Sequence, residues 1–159
     1  MTGEWPVPGR PNPPSIARRH ADALHAAGVP VEIFAFHAGR NPYDYAEAWT
    51  RLRPRLSGAR YDVLHAHFTH SGLLALPKRL PLVVTLRESD LGLERPASRI
   101  GRLRALAGRI LARRADAVIV TSDELRARVH TKACVHVIPA ELDEQALTAR
   151  LLGVYSSIC

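Results

Sequence analysis

Hydrophobic positions along the chain form short unbroken runs set between longer stretches of helical spacing, and each run ends in polar residues. Tyr61-Asp62-Val63-Leu64-His65-Ala66-His67 and Leu82-Val83-Val84-Thr85-Leu86-Arg87-Glu88-Ser89-Asp90 show this most plainly. A run without alternation is what a strand buried on both faces of a parallel sheet requires. In an open α/β sheet, ligands bind outside the carboxyl ends of the strands. Two neighbouring strands with ionisable tips therefore make a candidate site.

The same reading predicts the other elements. Ser15 to Gly28 reads as a helix with a serine cap and a glycine stop. Val29 to Phe36 is rich in β-branched and aromatic residues and reads as a strand. Tyr43 to Leu56 is helical after the Asn41-Pro42 turn, and a short helix is expected near Ser71–Leu76. Ser98 to Arg114 is a long arginine-studded helix, with Ile100, Leu103, Leu106, Ala107, Ile110 and Leu111 as its expected apolar face. Asp116–Val120 and Cys134–Ile138 are strands, Thr121–Glu124 is a capping box, and Leu142–Leu152 is a weak closing helix.

Strand and helix in alternation imply a mostly parallel sheet with helices on both faces, a three-layer α/β/α fold. The proline-rich start, residues 1–14, runs straight into a helix, so the first strand expected of such a fold is missing. Three segments follow: a proline-rich loop over 1–14, an α/β domain over 15–143, and a tail over 144–159.

Composition narrows the function classes. The chain has 159 residues, enough for one domain with its own core, and 47% hydrophobic content. No apolar run approaches the roughly 20 residues that span a bilayer. The N-terminus lacks signal-peptide order, and two cysteines make neither a disulfide framework nor a zinc knuckle. A cytoplasmic location is the expectation. The net charge of +7, carried almost wholly by arginine, favours phosphate-bearing partners. It is equally what arginine-rich codon usage would give. There is no Gly-x-Gly-x-x-Gly and no phosphate-binding P-loop sequence.

Several pieces match a family pattern in order and spacing. They are Trp5-Pro-Val-Pro-Gly-Arg-Pro-Asn-Pro-Pro-Ser15, Ala23-Leu-His-Ala-Ala-Gly-Val-Pro-Val-Glu-Ile-Phe34, Tyr61–His67, Leu73–Thr85, Ala112–Ser122 and Val137-Ile-Pro139. From about Trp5 to Asp143 the chain resembles the N-terminal, acceptor-binding half of family 4 glycosyltransferases, which have the GT-B fold. The resemblance implies a Rossmann-like domain facing a second, donor-binding one across a cleft. It implies a retaining, metal-free hexosyltransferase whose nucleotide-sugar donor binds only in the complete two-domain enzyme. A domain of this kind alone is expected to be inactive and to carry no cofactor. The implied partners are a carbohydrate or lipid-linked acceptor, the missing donor domain and, through the basic helices, the anionic inner membrane face.

Three places depart from the family pattern. Thr85-Leu-Arg87-Glu-Ser-Asp90 has arginine where a histidine is common, and Glu88 where a variant has glycine. Ile138-Pro-Ala-Glu-Leu-Asp143 lacks the family's Asn-Gly. Leu151–Cys159 matches nothing in it, and reads as an artificial end.

The candidate acceptor-binding residues are His65, His67, Arg87, Ser89 and Asp90. His65 and His67 share one strand face, and with His70 give a metal-like spacing. No acidic or thiol partner completes that set, so no metal is expected. The histidines otherwise read as acceptor contacts or as structural. Arg87 suits bidentate contact to a phosphate or acceptor oxygen, or a surface pair with Asp90 or Glu88. Asp90 would bind a sugar hydroxyl or cap the next segment. Arg10, Asn12 and Ser15 precede the first helix and form a candidate anion site, against the simpler reading of a capped helix. Two competing classes remain: a non-catalytic basic module for membrane or nucleic acid, and a truncated gene product without function. Few aromatics argue against specific nucleic-acid reading.

Overall fold

The computed structural model describes residues 1–2, 15–37, 41–57, 60–94 and 98–158. Four parallel strands, β1 (Leu64–His67), β2 (Leu82–Thr85), β3 (Ala117–Val120) and β4 (Cys134–Val137), pair in sequence order. Leu64 lies opposite Leu82, Val84 opposite Val118, and Val118 opposite Val135. All residues of β2 and β3 are buried, as their unbroken apolar runs require.

Helices cover both faces. α3 (Phe68–Leu74), α4 (Arg99–Arg114) and α5 (Asp123–Arg128) lie on one side. There Ala66, Val84, Val118 and Val120 meet Leu111, Ala112 and Leu125. α1 (Ile16–Ala26) and α6 (Glu144–Ser156) cover the other face, where Val83, Ala117 and Ile119 meet Ala23, Leu24, Leu147 and Leu151. A third cluster joins Phe34 and Phe36 to Ala48, Leu52 and Leu56 around α2 (Pro42–Arg55).

The cap of α1 follows the sequence, while α5 is capped by Ser122, one residue after the Thr121 that a capping box over Thr121–Glu124 requires, and Ser98 and Asp143 cap α4 and α6. The Ser15 side chain accepts from the Arg18 amide, Ser98 from Gly101, Ser122 from Leu125 and Asp143 from Ala146. Gly28, with φ 75°, ends α1 as a left-handed residue. Glu88 opens a 3-10 turn, Glu88–Leu91. Phe68 is the only described non-glycine with positive φ, so neither Glu88 nor the Ala140-Glu141 turn needs the family's glycine.

Four features differ from the sequence expectation. No regular strand precedes α1 among the described residues, yet Met1 and Thr2 stand where it would run. The His67 amide donates to Met1 O at 3.0 Å, the Met1 amine donates to His65 O at 2.6 Å, and Thr2 bridges Ala35 in parallel. Among the described residues Val29–Phe36 pairs only at that bridge, and it forms no regular strand. The helix expected near Ser71 starts directly at Phe68, with no loop after β1. The segment after Asp143, which matches nothing in the family pattern, is an element of the core. Leu147, Leu151 and Val154 are buried, and Arg19 Nη2 donates to Leu142 O at 2.7 Å.

The apolar stripe of α4 faces outward. Leu103, Leu106 and Ile110 are 65%, 54% and 44% exposed, while Gly101, Gly108, Leu111 and Ala112 face the core. Small residues are needed on that inner face: a Cβ on Gly108 would lie 2.5 Å from Asp90 O. The close approach of α4 to the 3-10 turn thus decides which face goes in, against the hydrophobic spacing.

Candidate functional site

The carboxyl ends of β1 and β2 carry the site. β1 ends at His67, and Phe68 turns the chain into α3 at φ 70°. A bulky side chain rarely takes that conformation, and such residues concentrate at functional sites. Phe68 is buried, and the Arg87 guanidinium lies 3.6 Å from its ring centroid. That is close cation–π packing of the β2 tip on the β1 tip.

Asp90 fastens the two tips. One carboxylate oxygen accepts from the Thr69 amide at 2.8 Å, the other from the Arg87 amide at 3.0 Å. Asp90 is buried. Its carboxylate is thus committed to the backbone, in the capping role. Arg87 and Ser89 are half-buried and border the open edge.

Behind the tips lies a polar nest on the α1 and α6 face. His65 Nδ1 meets the Tyr155 hydroxyl at 2.7 Å and its Nε2 meets Thr85 Oγ1 at 2.7 Å. Both ring nitrogens are therefore engaged below the surface. His67 stacks on His65 with centroids 4.3 Å apart, and His20 from α1 lies 5.1 Å from His67 and 5.6 Å from His65. Burial, and secondarily the charge of Arg19, lowers the His20 pKa to about 4. Burial, then the neighbouring imidazoles, holds His65 and His67 well below the ordinary histidine value. Burial raises the Tyr155 phenol, so it remains protonated, and lowers the Met1 amine to about 5. The nest is neutral at pH 7, a set of donors and acceptors without net charge.

His70 is not part of this nest. It packs on Phe36 and Phe68, because α3 begins at Phe68 and carries it off the strand face. Ser15 caps α1, and Arg10 and Asn12 lie outside the described residues. The sequence reading missed His20, Thr85 and Tyr155. His20 was visible as a polar position on the buried face of α1, beside Ala17, Ala23 and Leu24. Tyr155 is ninety residues from His65, and no local signal joins them.

A surface hollow of about 770 Å³ continues the same edge of the sheet. Glu88 and Leu93, after β2, line it together with Glu124, Leu125 and Arg128 of α5, after β3.

A parallel α/β domain whose polar residues gather at the strand ends has the layout of an open α/β fold that binds ligands along the carboxyl edge of its sheet. The profile of the glycosyl transferase 4-like domain matches residues 7–141, and the chain belongs to that family. Among solved structures it is similar to sucrose-phosphate synthase from Thermosynechococcus elongatus. A shorter chain of that enzyme matches at 18% identity and TM-score 0.70, over 89% of this chain and 92% of that one. A longer one matches at 18% identity and TM-score 0.61, over 80% of this chain and 42% of its own length. At this identity the likeness shows the fold, a Rossmann-like half of a GT-B enzyme. A search of curated protein sequences found no match.

Proposed function

We propose that this glycosyltransferase-like domain is the acceptor side of an enzyme that moves a sugar from a nucleotide-sugar donor to a carbohydrate or lipid-linked acceptor. It does not turn over donor alone, because the donor diphosphate needs groups from a facing domain. The observation that carries the reading is the family match combined with the paired tips. Arg87, braced on Phe68, presents a planar cation at the strand edge beside Ser89 and His67. Glu88 and Glu124 in the adjoining hollow offer acceptors for sugar hydroxyls.

Calorimetric titration of the chain with mono- and disaccharides and with short-chain lipid-linked sugars tests this. Arg87→Ala is expected to weaken the acceptor that binds by at least tenfold, the order of one lost charge-assisted contact. Equal affinity in a folded Arg87→Ala chain would refute the assignment.

The lipid-linked class has a second support. The outward stripe Leu103, Leu106 and Ile110 is flanked by exposed Arg99, Arg102, Arg109 and Arg113. An apolar stripe edged by arginines suits the headgroup boundary of an anionic bilayer. No helix among the described residues is long and apolar enough to cross a membrane. Co-sedimentation with phosphatidylglycerol-containing vesicles is expected, with the bound fraction falling several-fold in Leu106→Glu. If pure phosphatidylcholine vesicles bind as well, or Leu106→Glu changes nothing, α4 is not the contact.

A further inference from the structure

We infer that His20, His65 and His67 form a binding site for one divalent transition-metal ion of the zinc class. Each of the three offers a ring nitrogen, and these nitrogens all lie within 4.8 Å of one another. Zinc–nitrogen bonds of about 2.0–2.1 Å in a tetrahedral site put imidazole centroids roughly 5 Å apart. The observed centroid separations are 4.3, 5.1 and 5.6 Å. The nitrogens of such a site sit about 3.3 Å apart, and the His65 and His67 rings are stacked at 25°, so one of them must turn about its side-chain bonds before both in-plane lone pairs meet one ion.

The nest also has unmet hydrogen-bonding capacity. His20 Nδ1 and His67 Nδ1 are buried and have no hydrogen-bond partner among the described residues. Both side chains are more than nine-tenths buried, at 2% and 5% exposure. A buried imidazole nitrogen without a partner is costly, and an ion is one way to use it. His65 would give up one hydroxyl and keep the other. A metal-bound imidazole whose second nitrogen is hydrogen-bonded is the usual arrangement. Burial keeps all three rings neutral at pH 7, the form that coordinates.

The donor set selects the metal. Three imidazoles without a carboxylate suit zinc, copper or nickel and disfavour magnesium and calcium. Two histidines alternate along one strand and the third comes from a facing helix. Three protein nitrogens leave one tetrahedral position for water or another small oxygen ligand. The inference shares His67 with the acceptor edge, but it rests on the nest behind the strand tips and is read by metal binding without any acceptor present.

The test is zinc titration of the EDTA-stripped chain by calorimetry and thermal unfolding, with Co²⁺ absorption as a geometric readout. The expected result is one Zn²⁺ per chain, a raised Tm, and visible Co²⁺ bands of a tetrahedral nitrogen site. His20→Gln and His67→Gln should each weaken binding at least tenfold, while His130→Gln, on the surface, should not. If either nest variant fails to fold, nuclear magnetic resonance of the unaltered chain decides: Zn²⁺ must shift the His20, His65 and His67 ring signals. Absence of saturable binding, binding unchanged in both folded nest variants, or ring shifts confined to other histidines would each overturn the assignment.

Discussion

Asp90→Ala is expected to cost about 3 kcal/mol of folding stability, from the loss of two charged hydrogen bonds to backbone amides. Its carboxylate holds the first turn of α3 through Thr69 and the start of the 3-10 turn through Arg87, and it is buried. Alanine would strand two amides away from water. For a chain of this size that corresponds to a fall in Tm of roughly 10 °C. Asn offers one acceptor oxygen and turns an amide donor toward the other backbone amide, so Asp90→Asn should recover at most about half. Urea unfolding of the three chains measures this directly, and a loss below about 1 kcal/mol in Asp90→Ala would mean the tips are held otherwise. Because Asp90 positions Arg87, any acceptor affinity should fall with stability in these variants, whereas Arg87→Ala should reduce affinity more than its loss of packing on Phe68 reduces stability.

Acid should destabilise the metal-free chain well before the carboxylates titrate. His20, His65 and His67 all have folded pKa values depressed by burial. These are bases held neutral, so as pH falls the unfolded chain takes up protons first, near the ordinary value of 6.5. Their contribution is fully present above that value and drains as pH falls toward the folded values. For His20 the window runs from 6.5 to about 4. Between pH 6.5 and 5, His20 alone removes about 2 kcal/mol, at roughly 1.4 kcal/mol per pH unit. His65 and His67 act in the same direction. Urea midpoints at pH 7, 6 and 5 in EDTA should therefore fall steeply, with more than one proton taken up on unfolding. Constant stability from pH 7 to 5 would show that the nest is open to water.

The sheet was legible in the sequence because a buried parallel strand is an unbroken apolar run, and Leu82–Thr85 and Ala117–Val120 could be little else. The Ser15 cap was legible because it is a local side-chain to backbone bond, whereas at α5 the Thr-x-x-Glu pattern pointed to Thr121 and the adjacent Ser122 takes the role. Val29–Phe36 pairs, among the described residues, only at the Thr2–Ala35 bridge, because strand pairing belongs to the neighbour as much as to the segment. Of the α4 stripe, Leu103, Leu106 and Ile110 face outward while Leu111 lies in the core. Spacing finds an apolar face but not which face is pressed against a turn too close for side chains, and Gly108 beside Asp90 decides that. At the site, His65, His67, Arg87 and Asp90 were found from strand tips. Asp90's role came only with the fold, since its two partners lie on different elements. His20 and Tyr155 complete the nest from helices far away in sequence, and the replacement of His70 by His20 follows from where α3 begins.

The proposed acceptor sits on the carboxyl edge of the sheet at the β1 and β2 tips. Amide chemical-shift mapping of the labelled chain during titration with carbohydrate and lipid-linked acceptors tests it most directly. Saturable shifts centred on His67, Phe68, Arg87 and Ser89, extending to Glu88 and Glu124, are the predicted result. Shifts confined to the far edge of the sheet or to α2, or no saturable shift with any acceptor class, would contradict it.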